Sequence, residues 1–359
     1  MLLPQLQHLN LDRNWSRKGD AVALPNSILQ GLQQLTYLEL AWCRVQDPDG
    51  TRHLQQLGLT RLRHLGLDCV DAQAIPASTL SGLQRLTCLK VTRLYGSCPM
   101  EPDALAGKPL LQHLVVVDSH TASTAGVAQL LSHLQHLQQL TYLDLSGSLR
   151  SEEASPPAAA YAALTASSKL RHLDISRNHL RAGVWQRVFP AGRQLPHLLT
   201  LKVGDIGSLS DPIAAPEGSS LVSCCPALQT LRMQHLQCSA ELLAPLSGLS
   251  GLHELQLHPA GGSADGLEVL CRLTGLRRLD LLHCSGDPGL LLQLTELKQL
   301  THLRCADGVR HHFRCMRMLR DRMRMLRGHM GTLSQVSPQL CCPTYWACVM
   351  LQPDICWLH

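Results

Sequence analysis

The sequence predicts an α/β solenoid, with a curved parallel β-sheet on the inner face and short helices, 3-10 turns and loops on the outer face, in about twelve repeats. Three observations carry this reading. Leucine fills 74 of 359 positions, whereas isoleucine fills six and aromatic residues total 3%. A core assembled once draws on mixed aliphatic and aromatic residues, so one residue at this frequency marks a single slot filled many times. The pattern LxxLxLxx(N/C/x) recurs twelve times, starting at Leu6, Leu35, Leu62, Leu86, Leu111, Leu140, Leu170, Leu198, Leu228, Leu252, Leu276 and Leu300. Successive starts lie 24 to 30 residues apart, the span of one supersecondary unit in a repeat protein.

The strands come first. In each unit the inner leucines of LxL alternate with other residues, as in a strand buried on one face. One such strand buries too little apolar area to fold alone. Stacking the units pairs the strands in parallel and closes a continuous leucine core. The return segments follow. STAGVAQLLSHLQHLQQL (123–140) and EEASPPAAAYAALTASSKL (152–170) read as helical, and the 24-residue units are expected to return by short turns or 3-10 segments. The Pro- and Gly-rich inserts at 96–109 and 207–219 read as exposed loops. Duplication reaches these connections too, since ALPNSILQGLQQL at 23–35 matches AIPASTLSGLQRL at 74–86.

RHLDISRNHL at 171–180 and QHLNLDRNW at 7–15 carry a family resemblance, with Asn178 and Asn14 in one slot. Over residues 1–308 the unit resembles the leucine-rich repeat, in the form found in cytoplasmic proteins of plants and green algae. The slot elsewhere holds Cys43, Cys284, Ser119, Ser148, Val70, Leu94, Ile206 or Leu236, which predicts a less uniform turn ladder. The resemblance implies a non-catalytic scaffold that binds a protein partner on the concave face, in the cytoplasm, with nuclear and ciliary placement left open. The alternative it implies is a substrate-recognition subunit of a ubiquitin ligase, which in this family carries an F-box ahead of the array. Met1 stands five residues before Leu6, so the first unit lacks polar cover and an N-terminal cap is expected to be missing.

Charge narrows the partners. The net charge is 32 − 27 = +5, and residues 309–359, with seven Arg and two Asp, supply all of it. A neutral array argues against nucleic acid, which needs a basic stripe. No run of 18 apolar residues predicts a membrane span. The start MLLPQLQHLNLDRN has no secretory-signal features, so the 15 cysteines are expected as free thiols. They offer no CxxC pair, and no metal or cofactor is expected.

The third, fifth and seventh positions of each unit are expected to project from the inner face. The third reads His8, Tyr37, His64, Cys88, His113, Tyr142, His172, Thr200, Thr230, Glu254, Arg278, His302. The fifth reads Asn10, Glu39, Gly66, Lys90, Val115, Asp144, Asp174, Lys202, Arg232, Gln256, Asp280, Arg304. Adjacent Asp144 and Asp174 repel, and a bound cation relieves that repulsion. Tyr142, Asp144, Ser146, His172, Asp174 and Ser176 are therefore the candidate patch for a partner bearing a basic segment, with His172 expected to gain charge near pH 6. The solvated surface of any such row is the bland alternative. His113 and His172 lie two strands, about 10 Å, apart, too far for a shared zinc. Cys88 and Cys224–Cys225 lack a nucleophile signature, and Cys225 falls in a core slot. No catalytic residues are expected.

The tail, 309–359, is basic and rich in Met, Arg and Cys. Phe313, Met316, Leu319, Met323 and Leu326 recur at helical spacing among arginines, a basic amphipathic pattern similar to calmodulin targets. A cap helix on the last unit, followed by disorder, is the competing expectation.

Overall fold

A computed structural model describes residues 5–11, 22–23, 31–41, 43–44, 58–68, 80–93, 104–119, 124–149, 156–178, 180, 184–204, 213–214, 218–234, 236–237, 240–257, 267–282, 294 and 297–306. The chain divides after Ala306. The tail positions Phe313, Met316, Leu319, Met323 and Leu326 lie outside the described residues, as does Asn14.

Each LxL segment is a strand. In order these are β1 (His8–Leu11), β2 (Tyr37–Ala41), β3 (His64–Asp68), β4 (Cys88–Thr92), β5 (His113–Val117), β6 (Tyr142–Asp144), β7 (His172–Ile175), β8 (Thr200–Gly204), β9 (Thr230–Gln234), β10 (Glu254–Leu257), β11 (Arg278–Leu282) and β12 (His302–Ala306). They form one twelve-stranded sheet in sequence order, every neighbouring pair parallel. Register is conserved from unit to unit: His8 faces Tyr37, Tyr37 faces His64, and so on to Arg278 facing His302.

Strand entry is held by a recurring backbone arrangement. The carbonyl of Gln7 accepts from the amides of Thr36 and Tyr37 at 2.8 and 3.1 Å, and that of Thr36 accepts from Arg63 and His64 at 2.8 and 3.0 Å. Where the second position is threonine its hydroxyl adds a bond to the same carbonyl, as Thr36 does to Gln7 at 3.0 Å and Thr301 to Arg277 at 3.0 Å. These fix the phase of each strand, and with it which residues point inward.

The fourth and sixth positions point into the core. Leu38, Leu65, Leu89, Leu114, Leu143, Leu173, Leu201, Leu231, Leu255 and Leu279 are all at most 1% exposed. At the last strand the equivalent Leu303 is 38% exposed, because no further described strand lies beyond β12.

Helices fill the return segments where length allows. α1 (Thr124–Leu134) buries Gly126, Val127, Leu130, Leu131 and Leu134, a stripe at three- and four-residue steps. It is shorter than the 123–140 expected, because residues 135–140 already turn toward β6. The segment expected to be helical over 152–170 is a 3-10 helix at Ala158–Thr165, entered from Pro157 and burying Tyr161 and Leu164. α2 (Trp185–Val188), α3 (Gly218–Cys224) and α4 (Ala240–Leu246) follow. α4 corrects one expectation: a 24-residue unit returns through an α-helix, with Pro245 in its last turn. The next unit uses a 3-10 helix, Leu267–Arg272, as expected. Only parts of the two inserts are among the described residues. Ala104 and Leu105 of the first are each 1% exposed. In the second, Ile213–Ala214 pairs with Leu236–Gln237 in a small parallel ladder.

The asparagine slot behaves as a turn anchor. Asn178, 2% exposed, donates to the carbonyls of Leu145 and Ile175 at 2.9 and 3.0 Å and accepts from the amide of Leu149 at 2.8 Å. Ser148 and Ser119 do less in the same slot: Ser148 Oγ accepts from the Ser119 amide at 3.1 Å, and Ser119 Oγ donates to Val117 at 3.2 Å. Ser148 Oγ also donates to the Ser146 carbonyl at 3.5 Å, and neither serine spans to a carbonyl of the preceding unit as Asn178 does to Leu145.

Candidate interaction face

Core leucines and helices occupy one side of the sheet, so the third and fifth positions line the other. In-register parallel strands set equivalent side chains one strand spacing apart, close enough for planar rings to stack. His8 and Tyr37 stack with centroids 3.9 Å apart at 9°, and Tyr37 and His64 at 4.1 Å and 8°. Farther along, Tyr142 and His172 stack at 4.2 Å and 1°, with His113 tilted against Tyr142 at 5.9 Å and 32°. The third-position row thus contains two His–Tyr–His groups with Cys88 between them.

The fifth-position row is internally paired. Glu39 accepts from Tyr37 Oη at 2.6 Å, from Asn10 Nδ2 at 3.0 Å and from Lys90 Nζ at 3.2 Å. Burial pushes the Glu39 carboxyl up, but the bonds from Tyr37 and Lys90 outweigh it and hold it below its usual range. Lys90 reaches Glu39 across the intervening strand because that strand carries Gly66, where a Cβ would lie 2.7 Å from Glu39 Cγ. From β9 onward, Arg232 bonds Glu254 at 2.7 Å, and Arg278 bonds Asp280 at 3.2 Å.

The six predicted patch residues do come together on β6, β7 and the turns after them, yet their electrostatics differ from the expectation. Asp144 faces Asp174 in register. Asp174 is 5% exposed and already meets a cation of this chain, Lys202, at 2.9 Å; it also accepts from Ser176 Oγ at 2.6 Å. The cation expected from a partner is thus partly supplied by this chain, at Asp174, while Asp174 still repels Asp144. Asp144 accepts from the amide of Ser146 at 3.0 Å and has no ion pair among the described residues. Burial, then Asp174, push its carboxyl above the usual range. Ser146 is 7% exposed and bonds Asp144 through its backbone amide. Burial and then Asp144 and Asp174 raise the Tyr142 phenol. The expectation that His172 gains charge near pH 6 is overturned. Burial, reinforced by Lys202, lowers its imidazole to about 4, so it is neutral throughout the physiological range.

Sequence reasoning missed the rim where the strands end. Arg93, Asp118, Gly147 and Arg177 stand at one equivalent position in four successive units, and all have positive φ, at 56°, 50°, 68° and 62°. Left-handed geometry lets the ladder run one step farther: the amides of Arg93, Asp118 and Gly147 donate to Val117, Ser146 and Ser176 in the next unit. Arg177 pairs with Asp118, two units back, at 2.8 Å. It spans Gly147, where a Cβ would sit 2.4 Å from Asp118 Oδ1. Arg93 and Thr92 similarly hold the carboxylate of Asp68. No local sequence pattern announces the Asp118–Arg177 pair, whose members are 59 residues apart.

Cys224 and Cys225 are packing groups. Cys225 is fully buried and its thiol is pushed far up by burial. Half-buried Cys88 is raised to about 11, chiefly by burial, which makes it a poor nucleophile at neutral pH. Among the described residues no group of three or more His, Cys, Asp or Glu is placed to hold a metal ion, and no helix is long and apolar enough to cross a membrane.

No family model matches the chain, and no curated protein matches it. Solved structures do. An internalin from Listeria monocytogenes superposes with a TM-score of 0.55 at 20% identity, over 85% of this chain and 77% of the internalin. The fold is a leucine-rich-repeat solenoid. At that identity the likeness is one of fold. A second solved structure, the TLR13–ssRNA13 complex, aligns at a TM-score of 0.46 and 19% identity, over 79% of this chain and 41% of that chain.

Proposed function

We propose that the solenoid is a non-catalytic scaffold that binds a protein partner through the sheet face opposite its leucine core, with Tyr142, Asp144, Ser146, His172, Asp174 and Ser176 at the centre of contact. The observation that carries this reading is the ordered row of rings on that face. Tyr142 is held between His113 and His172 with no described element over it. A tyrosine fixed in advance gives contact area at little conformational cost, and such residues anchor interfaces. Lys202 satisfies Asp174, which leaves Asp144 as the carboxylate that a basic partner segment meets. Opposite charge at that point raises the association rate.

The test begins with affinity capture by the full chain, followed by binding kinetics with the captured protein. Tyr142→Ala should speed dissociation about tenfold or more, as loss of an interface anchor does. Asp144→Asn should slow association and flatten its salt dependence. Unchanged rates for both variants would exclude this face as the binding surface.

A further inference from the structure

The third-position row is aromatic on both sides of Cys88 and interrupted there. Cys88 pairs with His64 on one side and His113 on the other. One face of His64 is covered by Tyr37 at 4.1 Å, and one face of His113 is overlain by the tilted Tyr142 at 5.9 Å. The second face of each ring is turned toward the strand that carries only a thiol. The two rings are separated by two strand steps, roughly 8–10 Å between ring centres at the strand spacing of parallel sheets. A planar group set midway would lie about 4–5 Å from each ring, a normal stacking distance and close to the 3.9–4.2 Å steps found elsewhere on this row. Cys88 is half-buried and carries no ring, so the row has no planar group at this step.

The surroundings select the occupant's charge. Lys90, two residues along the same strand, is bound to Glu39 at 3.2 Å. Its positive charge opposes a guanidinium in the gap, and the completed ion pair offers no anion to attract one. On the other flank, the fifth-position neighbour is Val115. Across these strands the fifth-position row reads Glu39, Gly66, Lys90, Val115 and Asp144, without the basic stripe that a nucleic-acid backbone requires.

We propose that the gap over Cys88 seats one neutral aromatic side chain of a protein partner, which enters between His64 and His113 and makes the ring row continuous from His8 to His172. This rests on the reading of the face as a protein-binding surface and adds the chemistry of one contact.

The gap can be tested without a partner. The full chain is titrated separately with indole, methylguanidinium and adenosine while the imidazole C–H resonances are followed by NMR, assigned through His64→Gln and His113→Gln. Indole should move the His64 and His113 resonances upfield together and saturably. The response should vanish in Cys88→Phe, whose ring fills the gap, and should persist in Cys88→Ala. His113→Ala, which removes one wall, should also lose it and does not depend on accommodating a larger residue. Preference for methylguanidinium or adenosine over indole, an indole response that survives in Cys88→Phe and His113→Ala, or no response to any probe would overturn the proposal. If indole fails to enter but Tyr142→Ala still releases the captured protein faster, the gap is refuted and the face reading stands. If indole enters and Tyr142→Ala and Asp144→Asn leave the kinetics unchanged, the face reading around Tyr142 fails on its own.

Discussion

Gly147→Ala tests how the rim of the sheet is built. Gly147 has φ +68°, and a Cβ there would meet Asp118 Oδ1 at 2.4 Å. The left-handed conformation costs a residue with a Cβ about 1–2 kcal/mol. The clash is with the end of a side chain, so it is relieved by swinging the Asp118 carboxylate aside. That movement breaks the 2.8 Å pair with Arg177. The arginine side chain is 44% exposed, so screening limits the loss to at most ~1 kcal/mol. The sum is about 1–3 kcal/mol. Stability in a solenoid is coupled between neighbouring units, and the assay should therefore be local. Hydrogen exchange should show reduced protection in β5, β6 and β7 and little change in β10 and β11. The same substitution made in an Asp118→Ala background meets no carboxylate, so only the conformational part, about 1–2 kcal/mol, should remain. Equal losses in the two backgrounds, or protection lost evenly along the sheet, would refute this account.

Three further predictions follow from the same geometry. Asn178→Ala removes three hydrogen bonds to buried backbone groups, though the Leu145 carbonyl keeps the Ser148 amide, and should cost about 2–4 kcal/mol, read by denaturant unfolding, whereas Ser119→Ala should cost under ~1 kcal/mol; equal effects would contradict the slot argument. The His172 resonances should show the neutral ring down to pH 5 and titrate near 4. Because the unfolded chain takes up that proton first, its contribution to stability is intact above about pH 6.5 and is lost as pH falls toward 4; a midpoint above 6.5 would reverse the sign of this reasoning. Lys202→Met strands the carboxylate of Asp174, which is 5% exposed and beside Asp144, and should destabilise by about 1–3 kcal/mol; adding Asp174→Asn should recover most of the loss, and no recovery would show that Lys202 acts through something else.

Much of this protein was determined by its sequence because a leucine-rich repeat writes its structure locally. The LxL spacing alone places twelve strands, their parallel order and their register, since any slip would turn leucines such as Leu143 and Leu173 out of the core. It also identified Asn178 as a turn residue and Cys225 as a packed one. The return segments were less legible: the 3-10 helix at Ala158–Thr165 and the helix Ala240–Leu246 are set by how much chain must span the outer side, not by periodicity.

The face was legible as a set of residues and illegible as chemistry. Both rows could be written down in order, but the fate of Asp174 depends on whether Lys202 bends toward it, and the charge of His172 depends on burial beneath its neighbours. Such properties belong to side chains from different units, 28 to 59 residues apart in the chain, meeting in space. Gly66 and Gly147 show the same limit. Each reads locally as a residue lacking a side chain, and only the folded sheet reveals the ion pair that crosses the space it leaves, because that space exists only once three strands lie side by side.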